Sequence, residues 1–164
     1  MDKKFVTKSA KETQKLGENF ALRLGSGQAN RKTAVVFGLS GNLGGGKTTF
    51  LQGFAKGLEI KEIILSPTYA IMKRFQIPKK NKNINSVKNT LSRNFYTFYH
   101  VDCYRLKGPK DILELDFENI IKNPKNIVAI EWPEKIKKVL PKSTILIKFK
   151  FIDNNKREIE ILGL

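Results

Sequence analysis

The sequence contains a single cysteine, Cys103, so no disulfide bond can form within the chain. That composition is typical of proteins kept in a reducing cytoplasm. No apolar run approaches the roughly 20 residues that a membrane-spanning helix needs. The chain also turns polar after residue 7, without the apolar stretch of a signal peptide. We therefore expect a soluble, cytoplasmic protein.

Acidic residues are scarce as well. Lys and Arg number 31 against 15 Asp and Glu, which gives a formal net charge of +16. Such an excess favours nucleic acid or an acidic partner through long-range attraction. Codon bias towards Lys, Asn and Ile, with solvated lysines on the surface, is an equally good explanation. The charge alone does not decide between them.

The order of apolar and polar segments predicts a three-layer α/β fold with a mostly parallel central sheet and antiparallel additions at its edge. Residues 33–39 are almost continuously apolar, as in a strand buried on both faces of a parallel sheet. Further strands are predicted at 5–7, 62–65, 71–75, 94–101 and 126–130, with a terminal hairpin at 144–152 and 157–162. Helices are predicted at 9–23, from 47 onward, within 109–121 and after 133. Ser9 and Glu12 match a capping box at the start of the first of these helices. The 164 residues are expected to form one domain over 1–164.

A glycine-rich loop stands between the first buried strand and an apolar-periodic helix. It reads Gly41-Asn42-Leu43-Gly44-Gly45-Gly46-Lys47-Thr48. Backbone amides of such a loop and of the following helix N-terminus converge on phosphate oxygens. The Lys47 ammonium then faces the β- and γ-phosphates, and the Thr48 hydroxyl ligates Mg²⁺. The segment predicts a P-loop for a nucleoside triphosphate, with contacts from Asn42, Leu43, Gly44, Gly45, Gly46, Lys47, Thr48 and Thr49.

Two acids stand at the ends of apolar runs. Asp102 follows residues 98–101, and Glu131 follows residues 127–130. Strand ends of an open α/β sheet converge on the ligand crevice, so either carboxylate can reach a metal bound to the nucleotide. The alternative for each is an acid that caps a turn. His100, the only histidine, would share the strand face of Asp102, where a hydrogen-bonded structural role competes with acid–base work.

Five motifs occur together along the chain. They are Thr-Gln-Lys-Leu-Gly (13–17), Gly-Asn-Leu-Gly-Gly-Gly-Lys-Thr-Thr-Phe (41–50), Ser-Pro-Thr-Tyr (66–69), His-Val-Asp-Cys-Tyr-Arg-Leu (100–106) and Glu-Trp-Pro (131–133). In order and spacing they resemble the bacterial TsaE (YjeE) family, the ATPase component of tRNA threonylcarbamoyladenosine (t6A) biosynthesis. The resemblance covers essentially the whole chain.

This resemblance implies a P-loop fold and Mg²⁺-dependent ATP hydrolysis that is weak in isolation. It also implies two partners, the threonylcarbamoyl transferase subunit and its inactive paralogue, which act on adenosine 37 of tRNA. Contact with tRNA would be indirect, through that complex. By motif, Thr48 and Glu131 would hold Mg²⁺, and Asp102 would serve hydrolysis together with Lys47. Thr13 would lie near the nucleotide, and residues 66 and 68 would belong to a switch-like loop.

The chain departs from the family pattern at two places. Asn42 stands where the family usually has Asp, and Gly45 where it often has Ala, so position 42 keeps a hydrogen-bonding side chain but loses the charge of a carboxylate. Residues 78–93 form a longer and more basic linker than is usual. Its polar composition predicts a mobile insertion loop. That loop is either merely solvated or a contact for tRNA or an acidic partner surface.

The sequence leaves two other functions open. A P-loop kinase of a small molecule would use arginines at the transferred phosphate, and the candidates are Arg74, Arg93 and Arg105. A non-catalytic nucleic-acid-binding module would explain the charge, but it leaves the phosphate and metal residues without a purpose.

Overall fold

The computed structural model describes residues 2–25, 31–66, 70–79 and 95–163. The elements in chain order are β1 (Lys3–Thr7), α1 (Ala10–Gly25), β2 (Val35–Ser40), α2 (Lys47–Gly57), β3 (Met72–Gln76), β4 (Thr97–Asp102), α3 (Pro109–Leu113), α4 (Phe117–Lys122), β5 (Asn126–Glu131), a 3₁₀ helix (Pro133–Val139), β6 (Ile145–Phe151) and β7 (Arg157–Leu162). Within these ranges, no helix is both long and apolar enough to span a membrane.

The strands of the described residues form one seven-stranded sheet in the order β1-β7-β6-β2-β5-β4-β3. The four central strands, β6, β2, β5 and β4, are parallel to one another. Strands β3, β7 and β1 pair antiparallel at the two edges. The mostly parallel centre and the antiparallel edge additions are therefore confirmed. This order places the carboxyl ends of β2, β4 and β5 side by side.

Alternate side chains of the central strands enter two separate cores. One face, with Phe37, Phe98 and Ala129, packs against α1 and α2. The other, with Val36 and Val128, packs against α3, α4 and the 3₁₀ helix. Helices thus cover both faces, which is why β2 and β5 lack the alternation of polar residues seen in half-exposed strands. The three-layer arrangement is confirmed.

Helices α1 and α2 pack in very close contact. Gly17 of α1 faces the backbone of Phe50, and Gly53 of α2 faces the Gln14 carbonyl so closely that a Cβ at either glycine would collide with the opposite backbone. Close approach of two helix backbones requires residues without a side chain at the crossing. The contact holds the N-terminal turn of α1 beside the glycine-rich loop, so that the Thr13 methyl lies next to Gly46.

Two local predictions are wrong. Residues 62–65 form no strand, because the Ile64 carbonyl accepts a hydrogen bond from the Gln52 side chain instead of a neighbouring strand. At the start of α1, the Glu12 amide bonds to the Ser9 hydroxyl as predicted. The Glu12 carboxylate, however, accepts from the Lys8 amide and not from Ser9, so the capping box is only half formed.

Two predictions lie largely outside the described residues. One is the basic linker 78–93, of which only 78 and 79 are described. The other is residue 68 of the switch-like loop.

Candidate functional site

The glycine-rich loop adopts a backbone conformation that only glycine takes easily. Gly41, Gly44 and Gly46 have φ values of 136°, 72° and 98°. Gly46 is the N-cap of α2 and offers no side chain, so among the described residues no side-chain cap bonds the first amides of this 11-residue helix. Unbonded amides at a helix N-terminus form an anion site. The loop is therefore shaped to receive phosphate.

Lys47 lies inside this loop and is only 5% exposed. Its Nζ donates to the carbonyl oxygens of Gly41 at 2.7 Å and Asn42 at 3.0 Å, and it lies 4.4 Å from the centre of the Trp132 ring. Burial lowers the pKa of the Lys47 ammonium, while the charges of nearby carboxylates, Glu131 first, oppose that shift. The ammonium is thus held at the loop by neutral partners that a phosphate can replace.

Thr48 and Glu131 meet at the end of β5. The Thr48 hydroxyl donates to Glu131 Oε1 at 3.2 Å. Glu131 is only 3% exposed, and its Oε1 also lies 2.9 Å from His100 Nε2. No hydrogen bond from the described part of the chain reaches Oε2. A hydroxyl beside a carboxylate with one free oxygen is a donor set that suits Mg²⁺.

Asp102 lies at the end of β4, directly opposite Glu131 in the strand register. Its Oδ2 accepts from the Ser66 hydroxyl at 2.5 Å, and its Oδ1 accepts from the Tyr104 amide at 2.9 Å. The adjacent Cys103 is fully buried, and burial raises the pKa of its thiol to about 12. The thiol therefore stays protonated at neutral pH, which excludes it as a nucleophile in this site.

Trp132 follows Glu131 in a left-handed conformation, with φ 58° and ψ 52°. Its amide donates to the Leu39 carbonyl at 3.1 Å, and its ring lies 5.3 Å from that of Tyr104. Non-glycine residues rarely take this conformation without a constraint from the surrounding structure. Here the turn brings the indole against Lys47, so Trp132 is a wall of the site.

These residues line one cleft of about 650 Å³. Its lining includes Thr13, Leu43, Gly44, Gly45, Gly46, Lys47, Thr48, Thr49, Ser66, Asp102, Tyr104, Arg105, Glu131 and Trp132. Asn42 is not among the lining residues, because its side chain is exposed and only its carbonyl turns inward. The structure thus brings the sequence-predicted site residues together at one place, apart from the Asn42 side chain.

One wall of the cleft was not expected from the sequence. The β6–β7 hairpin contributes Asn154 and Asn155 from its turn and Arg157 from the start of β7. Arg157 Nε donates to the Gly44 carbonyl at 3.3 Å, which ties the hairpin to the glycine-rich loop. The sequence predicts this turn but carries no motif that links it to a loop 113 positions away. Only the pairing of β6 with β2 places it there.

The arginines considered for a kinase separate in space. Arg105 lines the cleft, whereas Arg74 lies on the exposed side of the edge strand β3 and does not line it. Arg93 lies outside the described residues.

Comparisons with known proteins point to one family. The family model for "Threonylcarbamoyl adenosine biosynthesis protein TsaE" matches residues 7–159. Curated relatives described as "tRNA threonylcarbamoyladenosine biosynthesis protein TsaE" include one from Rickettsia prowazekii, 35% identical over 91% of this chain and 87% of the relative. A second, from Bacillus subtilis, is 32% identical over 78% and 69%. A crystal structure of Bacillus subtilis YdiB superposes with a TM-score of 0.63 and 27% identity, over 98% of this chain and 84% of that one.

Proposed function

This chain belongs to the TsaE family, and we propose that it is a Mg²⁺-dependent ATPase acting in tRNA threonylcarbamoyladenosine biosynthesis. Family membership supports a role in that pathway and a P-loop fold that binds nucleotide. The proposal of ATPase activity rests on one observation. Lys47, Thr48, Asp102 and Glu131 come from three separate elements and line the same cleft as the glycine-rich loop.

In this proposal the amides at the start of α2 bind the phosphates of ATP. Lys47 exchanges its bonds to the Gly41 and Asn42 carbonyls for phosphate oxygens, which adds charge attraction to the hydrogen bonds. Its place beneath the Trp132 ring excludes water from one side of the ammonium. Thr13 and the hairpin residue Arg157 also line the cleft, and both lie beside Gly46.

The residues at the end of β5 fit a magnesium ion. Glu131 Oε2 is free of hydrogen bonds from the described residues, and the Thr48 hydroxyl stands beside the same carboxylate. Mg²⁺ held there would neutralise charge on the β- and γ-phosphates. Proteins usually bind this ion through one or two side chains plus substrate phosphates, which matches a site of this size.

Asp102 is the acidic residue that we assign to hydrolysis, where its carboxylate acts on the attacking water. A water molecule attacks the γ-phosphorus, the bond to the β–γ bridging oxygen breaks, and Asp102 orients that water or accepts its proton. Ser66 and the Tyr104 amide each donate to one Asp102 oxygen, so the carboxylate is fixed in orientation.

The finer biological role is also a proposal. ATP binding and hydrolysis would support threonylcarbamoylation of adenosine 37 by driving a change in a complex with the transferase subunit and its inactive paralogue. Its contact with tRNA would be indirect, through that complex. We expect the protein to form a single domain and to act in the cytoplasm. The runner-up is a P-loop kinase of a small molecule, and the observation in its favour is Arg105 in the lining of the cleft.

Three measurements test the proposal. Calorimetry should show ATP binding that strengthens with Mg²⁺, and phosphate release should occur without any acceptor and increase with the two partner subunits. A reconstituted reaction with unmodified tRNA should require this protein and ATP for sustained formation of the modified base. ATP consumption that depends on a small-molecule acceptor would instead establish the kinase, and unchanged tRNA modification without this protein would exclude the proposed role.

A further inference from the structure

His100 in β4 is a buried polar side chain, and apolar packing does not account for the hydrogen bonding of its two ring nitrogens. His100 is fully buried, and its Nε2 lies 2.9 Å from Glu131 Oε1. Its other ring nitrogen, Nδ1, has no hydrogen-bond partner among the described residues. A buried polar atom without a partner costs stability, so it calls for an explanation. A purely structural position would be filled better by an apolar side chain.

The strand register explains how the imidazole reaches the carboxylate. His100 stands opposite Ala129 across the β4–β5 ladder, and Glu131 is two positions further along the same face of β5. The single methyl of Ala129 leaves room for the imidazole to lean towards the strand end. Because a carboxylate only accepts hydrogen bonds, Nε2 carries the proton in this contact.

Two donors therefore share Oε1 of Glu131, the Thr48 hydroxyl and His100 Nε2. No donor among the described residues reaches Oε2, and Glu131 is one of the residues that line the cleft. When the Thr48 hydroxyl leaves to become a metal ligand, as the proposed function requires, His100 is the donor that remains. Partners of this kind fix the orientation of a ligating carboxylate.

We propose that His100 is a positioning residue that holds Glu131 by its Oε1, so that Oε2 is presented to the magnesium ion of the bound nucleotide. The inference rests on the proposed function, in which Glu131 is a magnesium ligand. His100 itself touches neither nucleotide nor metal. It acts only through the hydrogen bond to Glu131.

Substitutions that keep or remove the donor test this role. His100→Gln retains an N–H donor at a similar reach, whereas His100→Leu and His100→Met fill the space without a donor. Phe98→Leu is the matched control, because Phe98 is buried on the same face of the same strand and packs against Phe54 and Phe75 instead. Affinity for a non-hydrolysable ATP analogue is measured calorimetrically over a range of Mg²⁺ concentrations, with EDTA as the zero point. Thermal unfolding without ligand reports stability.

The expected result is a loss of Mg²⁺ response only where the donor is lost. His100→Leu and His100→Met should need about tenfold more Mg²⁺ for half of the affinity gain, at the low end of the effect of outer partners of a metal site. His100→Gln should stay within about threefold of wild type, since its amide donates to the same oxygen. In EDTA all variants should bind the analogue equally. Phe98→Leu should unfold at lower temperature with an unchanged Mg²⁺ response.

Normal Mg²⁺ dependence in His100→Leu or His100→Met would overturn the inference and leave the proposed function in place. So would a defect in His100→Gln as large as theirs, because packing and not the donor would then be responsible. A wild-type protein whose nucleotide affinity does not respond to Mg²⁺ would refute the metal site itself, and the inference with it.

Discussion

The ends of β4 and β5 differ although they are neighbours in one sheet. Asp102 and Glu131 are register partners, and each is the last residue of a parallel strand. Glu131 is nearly fully buried, and the two donors that reach it from the described residues share one oxygen. Asp102 is half-buried, and the described residues give one donor to each of its oxygens, one of them the loop residue Ser66.

This difference favours the division of roles that the family resemblance implies and that strand-end position alone leaves open. A carboxylate with one oxygen saturated and the other free presents a single ligand atom in a fixed direction, as a metal site needs. A half-exposed carboxylate bonded at both oxygens is oriented but still open to water, as hydrolysis needs. Burial and bonding pattern therefore favour Glu131 for metal and Asp102 for water.

The largest effect is expected at the end of β4. Asp102→Asn should lower the rate of ATP hydrolysis by about 100- to 10,000-fold, the usual contribution of a positioned acid or base. The affinity for Mg²⁺-ATP should change by less than about threefold, because the metal ligands on β5 are intact. Single-turnover phosphate release and calorimetry measure the two quantities. If Asp102→Asn loses the Mg²⁺ response instead, the two strand ends have exchanged roles.

Lys47 lines the same cleft as both strand-end acids, so its loss should affect both functions. Lys47→Ala removes charge-assisted hydrogen bonds worth roughly 2–3 kcal/mol, which corresponds to about 30- to 150-fold weaker ATP binding. The weakening should persist in EDTA, since the lysine acts without the metal. Circular dichroism checks that the fold is retained. A folded variant with wild-type affinity would remove the basis for the phosphate site.

At the end of β5 the expected effect is on the metal. Glu131→Gln keeps the side-chain shape but removes the charge, and it should raise the Mg²⁺ concentration for half-maximal nucleotide affinity about 10- to 100-fold. Affinity in EDTA should equal that of wild type. Excess Mg²⁺ should restore much of the hydrolysis rate, which it should not do for Asp102→Asn. If excess Mg²⁺ restored the hydrolysis rate of both variants or of neither, the two acids would act as one unit.

The smallest effect should follow from loss of the Ser66 donor at the end of β4. Ser66→Ala removes a hydrogen bond to Asp102 worth about 1 kcal/mol and should slow hydrolysis about fivefold without altering the Mg²⁺ response. Thr48→Ala is the contrasting change beside Glu131, because it removes a proposed Mg²⁺ ligand and should weaken the Mg²⁺ response directly. Both are measured in the same titrations. A Ser66→Ala variant that shifts the Mg²⁺ dependence would contradict a separate role for Asp102.

Local patterns in the sequence predicted most of the elements correctly. The apolar runs of β2 and β5, the helix after Lys47 and the terminal hairpin are all present close to their expected bounds. These features are local, because period, glycine content and strand length reflect interactions within a few residues. Residues 62–65 show that the same local pattern can also predict a strand that does not form. Ile64 is buried while Ile63 and Leu65 are exposed, and this alternation resembles a strand although no ladder forms.

The composition of the chain and its local motifs determined by themselves the layered α/β fold, the conformation of the glycine-rich loop and the strand-end positions of the two acids. Only the tertiary structure decided that His100 bonds to Glu131, that Thr48 meets the same oxygen, and that Arg157 reaches Gly44. The physical reason is strand order. Buried apolar strands are nearly interchangeable in sequence, so which strand ends become neighbours depends on how all of them pack together.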